Sequence, residues 1–334
     1  MTAAVAVDLG KTGCRAVLWN DGAGPAPDVH EVPGAPGLAA DHGVELARTA
    51  VRAAVLPLLE GQPHLRLASV CVGAAGAAAA PEAARELAGL LLEDLPADEV
   101  AVTSDAVTAH AGALGGRTGV VLAIGTGSVA IGIGEDGSYA RVDGWGPWLG
   151  DEGSGAWIGA AGLRAALRAH DGRGPDTALL AAAEARFGDP DRLPSALGRE
   201  GNPARTAATF APDVARAAAA GDAAASAVVQ DAATALGEAV LAAAHRVGGD
   251  GALPVTITGG LTGLGEPLLG PLRSTLAGSS RPLEMRPPLG DPLDGARLLA
   301  LDASAPHEPH VARVRRTMPH PPVPSPPVTP PADV

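Results

Sequence analysis

Asp105 closes an apolar run, VAVTSD, at a point where a strand would give way to a helix beginning near Ala106. Ligands of α/β sheets bind beyond such strand ends, and a carboxylate there can take the proton of a hydroxyl as that hydroxyl attacks phosphorus. Asp105, or Ser104 beside it, could equally cap the helix, and the two uses are compatible. Further along, VLAIGTGSVAIGIG sets a Gly-Thr-Gly-Ser turn between two apolar runs, the pattern of a β-hairpin with Gly125 to Ser128 at its tip. Glycine at such a tip lets backbone N–H groups approach an anion, and the hydroxyls of Thr126 and Ser128 add donors, so Thr126, Gly127 and Ser128 suit a nucleotide phosphate. An ordinary hairpin turn would read the same way. The segment DGWGPWLGDEGS (Asp143 to Ser154) then places carboxylates among glycines and tryptophans, and although aromatics are 2% of the chain, Tyr139, Trp145, Trp148 and Trp157 all fall in this region. An aromatic ring packs on the C–H face of a sugar while carboxylates bond its hydroxyls. This makes Ser104, Asp143, Gly144, Trp145, Asp151 and Glu152 candidate sugar contacts, with Trp157 better suited to core packing inside a helix capped by Ser154. Jointly these features read as a phosphotransferase site.

The order SDA, GTGS, GWG, GDEGSG resembles the amino-sugar kinases of the BadF/BadG/BcrA/BcrD group, the N-acetylglucosamine and glucosamine kinases, over nearly all of the chain except its C-terminal end. The resemblance implies an α/β, two-lobed actin-like ATPase (ribonuclease H-like) fold with ATP and substrate in a central cleft. The lobes would be 1–105, completed by 291–305 packing back, and 106–290, followed by a proline-rich extended tail at 306–334. It implies ATP and Mg²⁺ as cofactors, and a homodimer.

Other elements must position these groups. Residues 3–19, AAVAVDLGKTGCRAVLW, read as strand, Gly-rich turn, strand. Asp8 ends the first strand and can hold Mg²⁺ through water, while Gly10, Lys11 and Thr12 curve around phosphates. Lys11 is the only lysine of the chain. The family loop usually reads closer to DGGGTKT; here Leu9 replaces a glycine and the lysine is shifted, which leaves Asp8 the better supported of these roles. Gly22 to Gly43 reads as a strand edge and loop, ELARTAVRAAVLPLLEG as a helix, and LASVCVGAAG as a buried strand. Residues 160–246 are alanine-rich helix, and LPVTITGGLTGLG is a strand running into a Gly-Gly turn that lets adenine or ribose lie against backbone. The resemblance assigns Gly259 and Gly260 to adenosine contact; a plain strand-to-helix turn is the alternative. RPPLGDPLDGARLLALD resembles the segment that returns to pack on the first lobe.

Composition sets the outer limits. With 334 residues the chain can build two cores. A net charge of −13 argues against nucleic acid or an anionic membrane as partner. No run approaches the length of a membrane span and no secretion signal is read at the N-terminus, so the cytoplasm is the expected location. Cys14 and Cys71 are too few for a disulfide framework and are not spaced as metal ligands. His42 and His64 read as surface residues. The leading reading is an ATP-dependent kinase acting on the 6-hydroxyl of an amino sugar. Where N-acetylglucosamine kinases tend to read GGWG this chain reads DGWG, and Asp143 could pair with a substrate ammonium and crowd out an acetyl group, which points to glucosamine rather than N-acetylglucosamine. More distant readings are an ATPase activator of a reductase, which would need cysteines for an iron–sulfur cluster, and a non-catalytic sugar sensor.

Overall fold

The computed structural model describes residues 3–20, 28–62, 64–199 and 201–316. The proline-rich segment from residue 317 onward lies outside them. The first lobe runs β1 (Ala3–Leu9), β2 (Gly13–Asn20), β3 (His30–Pro33), α1 (Gly43–Leu59), β4 (Leu67–Ala74), α2 (Pro81–Asp94) and β5 (Glu99–Ser104). Then α3 (Asp105–Leu114) leads to β6 (Gly119–Ile124), β7 (Ser128–Ile133) and β8 (Tyr139–Asp143). A helical region follows: α4 (Gly155–His170), α5 (Ala178–Phe187), α6 (Leu193–Gly198), α7 (Pro203–Ala208), α8 (Ala211–Ala219) and α9 (Ala223–Arg246). The chain ends with β9 (Leu253–Thr258), α10 (Glu266–Ala277), β10 (Leu283–Arg286), α11 (Pro292–Leu301) and β11 (Ala312–Arg315).

Two sheets result, ordered β11-β5-β4-β1-β2-β3 and β10-β9-β6-β7-β8. Each contains a three-strand antiparallel meander, β1-β2-β3 or β6-β7-β8, with parallel strands added on the other side of its first strand. In β1 the side chains alternate by the two-residue period of a strand. Ala3, Val5, Val7 and Leu9 enter one core with α1 and α2, while Ala4 and Ala6 enter another with Val107 and Ala111 of α3 and Leu293, Ala296 and Leu299 of α11. The alanine face lets α11 and α3 come close. At their crossing, a Cβ on Gly112 would overlap the carbonyl oxygen of Asp291, and one on Gly295 would overlap that of Thr108. The α3 helix therefore sits between the sheets, and α11 packs back on β1 and β4.

Two expectations need correction. The tail predicted from residue 306 begins later, because β11 pairs antiparallel with β5, with Ala312 opposite Val102 and Arg315 opposite Glu99. Arg313, nearly buried, holds Glu99 at 2.7 Å and Glu308 at 2.6 Å, so this segment completes the first sheet by charge pairing as well as strand pairing. Second, a helix long and apolar enough to cross a membrane by length and composition does exist. The 24-residue α9 has an 18-residue window of mean hydropathy 1.3. Its apolarity rests largely on alanine, and Val229, Leu236 and Val240 enter the core of the second lobe.

The last segment also ties the lobes together. Thr103 donates to the His310 carbonyl at 2.7 Å, and His310 Nε2 donates to the Gly137 carbonyl in the β7–β8 turn at 2.8 Å. Beneath lies a fully buried histidine pair. His110 Nε2 must donate to the Gly119 carbonyl (3.0 Å), which leaves Nδ1 to accept from His307 Nε2 (2.9 Å) and His307 Nδ1 as a buried acceptor with no partner. Burial drives both down, His110 to about 4 and His307 to about 3, with His110 and His310 adding repulsion at His307. The unfolded chain thus takes up protons below 6.5 that the folded chain refuses. The stability this pair contributes is intact above pH 6.5 and falls as pH drops from 6.5 toward 4, by up to about 1.4 kcal/mol per pH unit per histidine. Denaturant unfolding between pH 7.5 and 5 is expected to show this slope as the excess of the parent over His307→Asn, the raised Asp105 and Asp151 carboxyls contributing alike to both; equal slopes in the two would refute it.

Candidate active site

Strand β5 delivers Asp105 where the sheet ends and α3 begins. Ser104 takes the capping role, its Oγ accepting from Val107 N at 3.2 Å, and Asp105 Oδ1 accepts from Ala106 N at 2.9 Å. Ser104 is almost wholly buried. Its proposed use as a sugar ligand is corrected to wall and cap. Asp105 opens on a cavity of about 520 Å³ also lined by Asp8, Tyr139, Arg141 and Gly144. Burial above all raises the Asp105 pKa; the Ala106 N–H opposes this, nearby Asp8 adds to it and Lys11 lowers it. A carboxylate so placed is a stronger base than one in water.

Asp8 lies across the β1–β2 ladder from Arg15, whose Nη2 donates to Asp8 Oδ2 at 2.7 Å. The signal for this partner lies in the hairpin register centred on Gly10 to Gly13, which sets Arg15 opposite Asp8. Oδ1 has no partner among the described residues. Among the described residues there is no cluster of three or more His, Cys, Asp or Glu able to hold an ion, so Asp8 could supply at most one carboxylate, through water, to a divalent ion that brought its other ligands with it. The neighbouring turn is closed by Gly10 N donating to Gly13 O at 2.9 Å, and leaves the side chains of Lys11 and Thr12 exposed.

The Gly125–Ser128 turn joins β6 to β7 as expected. Gly155 N and Ala156 N at the start of α4 donate to Gly125 O (2.8 Å) and Thr126 O (3.1 Å), fastening the turn to a helix N-terminus. Thr126 is exposed. The Ser128 hydroxyl, by contrast, donates to the Glu152 carbonyl at 2.9 Å and is buried, so its role as a phosphate donor is corrected to one of bracing. Gly127 lies under Asp151: a Cβ there would stand 2.6 Å from Asp151 Oδ2. Asp151 Oδ1 accepts from Gly146 N at 3.2 Å, and burial raises its pKa. The Glu152 side chain faces solvent.

Asp143 has a different job from the one expected. With φ of 61° it turns inward, and its Oδ1 accepts from Asp151 N (2.8 Å) and Trp145 N (3.4 Å) while Oδ2 accepts from Glu152 N (2.8 Å). The carboxylate is committed to shaping the 143–152 loop and is not a free anion for a substrate ammonium. Trp145 is 65% exposed, with the Arg141 guanidinium 5.0 Å from its ring and bonded to the Gly144 carbonyl. Trp148 is 89% exposed, whereas Trp157 packs against the second-lobe core.

A second cavity, of about 770 Å³, is lined by Ile257, Thr258, Gly259, Thr262, Arg286 and Asp291, among others. Gly259, at φ 99°, runs so close to the end of β6 that a Cβ would overlap Ile124 O, which only glycine permits. Gly260 stands in open space. Both cavities are walled by Ala109 of α3 and Pro292 of α11, so they abut where those helices cross. Cys14 and Cys71 are buried in β2 and β4, their thiols pushed up to about 12 by burial, which removes them from cluster ligation at a surface.

Two lobes built on the same meander, with a half-buried carboxylate on one cavity and a glycine-walled cavity beside it, define the actin-like ATPase fold as sugar kinases use it. The chain belongs to the BadF/BadG/BcrA/BcrD ATPase family, whose sequence pattern matches residues 5–277. Over 124 residues it is 32% identical to an N-acetylmuramic acid/N-acetylglucosamine kinase of Clostridium acetobutylicum; the match spans 36% of this chain and about two fifths (39%) of that relative's length. A provisionally assigned N-acetylglucosamine kinase from Chromobacterium violaceum is similar in structure, at 29% identity and TM-score 0.64, covering 90% of this chain and 99% of that one. A provisionally assigned kinase of the same kind from Porphyromonas gingivalis shares the fold, at 21% identity and TM-score 0.62 over 90% and 99% of the two chains.

Proposed function

We propose that this chain is an ATP-dependent kinase that phosphorylates the 6-hydroxyl of an N-acetylated 2-amino hexose. The observation that carries the reading is Asp105, half-buried where β5 gives way to α3 and open to a sugar-sized cavity that abuts the glycine-walled one. The sugar oxygen bonds to the γ-phosphorus, the bond from that phosphorus to the β–γ bridging oxygen breaks, ADP departs, and Asp105 accepts the hydroxyl proton. Mg²⁺ bound with ATP would neutralise phosphate charge, and Asp8 is the carboxylate that would hold it through water. Lys11, Thr12 and Thr126 offer exposed donors to the phosphates, while Trp145 and Asp151 flank the sugar.

An acetamide is favoured over a free amine because the Asp143 carboxylate is occupied by backbone N–H groups and is not free to pair with an ammonium. A coupled ADP-release assay should give a higher kcat/KM for N-acetylglucosamine than for glucosamine. Asp143→Ala should raise KM for both sugars in similar proportion, by about tenfold, since it loosens a loop both would touch. A parent enzyme that prefers glucosamine, with that preference eroded in Asp143→Ala, would restore the ion-pairing role.

A further inference from the structure

The strand order of the second sheet spreads the two cavities along one line. Strands β7 and β8 give Ile131, Tyr139 and Arg141 to the Asp105 cavity, Gly259 follows β9, and the edge strand β10 ends in Met285 and Arg286, which line the cavity of about 770 Å³. Ala109 and Pro292 mark the end of that cavity beside the sugar. Met285 and Arg286, with Leu269 and Arg273 of α10, mark the end farthest along the sheet from it. A nucleoside triphosphate with its γ-phosphate toward Asp105 therefore lays its base among these four residues.

The polar chemistry of that end is one-sided. Leu269 and Met285 offer apolar surface to a ring, and the charged side chains there are the two half-exposed guanidiniums. Each donates through Nη2 to a glutamate that does not itself line the cavity, Arg273 to Glu266 and Arg286 to Glu284, and their remaining N–H groups have no partner among the described residues. Arginine offers five donors and no acceptor. The side-chain acceptors of the cavity, Thr258, Thr262 and Asp291, stand beside the Gly259 turn and at the start of α11, not on β10 or α10. A 6-oxopurine shows adjacent acceptors at O6 and N7 that an arginine fork matches, whereas adenine shows a donor at position 6 and calls for an amide or an acid.

We infer that the phosphoryl donors of this enzyme include the 6-oxopurine triphosphates GTP and ITP, read at O6 and N7 by Arg273 and Arg286. With GTP the sugar oxygen bonds to the γ-phosphorus, the bond from that phosphorus to the β–γ bridging oxygen breaks, GDP departs and Asp105 takes the hydroxyl proton. The inference rests on the proposed kinase reading, which sets the direction in which the triphosphate lies.

The full-length enzyme should be assayed with N-acetylglucosamine and each of ATP, GTP, ITP and CTP, the released diphosphate being resolved by chromatography. GTP and ITP are expected to give kcat/KM no lower than about a third of that for ATP, and CTP, whose 4-amino group is a donor, less than either. The double variant Arg273→Gln, Arg286→Gln puts acceptors where the guanidiniums stood. It should lower the ratio of kcat/KM for GTP to that for ATP by roughly 10- to 100-fold, the size of one bidentate base contact. Calorimetric titration with GDP and ADP in the absence of sugar should show the same change of ratio, a readout that needs no turnover. Turnover with ATP while GTP and ITP fall below that third would overturn the inference and leave the kinase reading standing. A GTP-to-ATP ratio unchanged in the double variant would overturn it too, since the arginines then do not read the base. No turnover with any donor would sink the kinase reading, and this inference with it.

Discussion

Asp105→Asn is expected to fold and bind sugar like the parent while losing at least about 10²-fold in kcat. The amide oxygen can still accept from Ala106 N, and Ser104 still caps α3, so the helix start is unchanged. What is lost is the ability to take a proton. Because burial disfavours the charged acid, the neutral amide should also leave stability equal or slightly raised. The raised pKa has a kinetic corollary. Activity should decline on the acid side along a limb lying above the ordinary aspartate range, since only the deprotonated base works. Turnover within tenfold of the parent, measured by ADP release at saturating sugar, would remove Asp105 from the chemistry.

Gly295→Val should be the most damaging single change outside the site. The α3 and α11 helices cross through backbone, with Gly295 against the Thr108 carbonyl and Gly112 against that of Asp291. No rotamer relieves a Cβ there, because the obstructing atom is main chain in a packed core. The helices must separate, which costs the contacts of Val107, Ala111, Ala296 and Leu299. A loss above about 3 kcal/mol is expected, enough to unfold a protein of ordinary stability. Because Ala109 and Pro292 on the same helices wall both cavities, the milder Gly295→Ala should lower activity along with melting temperature. A Gly295→Val protein that melts within a degree or two of the parent would mean that the helices do not cross this closely.

Local pattern made several of these features legible in advance. The strand-turn-strand of β1 and β2, the hairpin around Gly125 to Ser128, the strand-to-helix switch at Asp105 and the Ser154 cap all follow from short-range periodicity and turn chemistry. The partners of charged and polar side chains did not follow. Ser128 and Asp143 looked like ligand contacts because their types suit that work, but each lies within reach of a loop backbone that needed an acceptor or a brace. Motif reading names a residue's chemistry and cannot say which neighbour uses it.

By itself the sequence determined which groups were available for phosphoryl transfer and the order of elements carrying them, because both depend on residue type and on spacing of a few positions. Tertiary structure decided the rest. It buried His110 against a residue almost two hundred positions away and turned part of an apparent tail into the edge strand β11. Each of these depends on long-range packing of helices and strands, in which two glycines at the crossing of α3 and α11 set how closely the lobes approach.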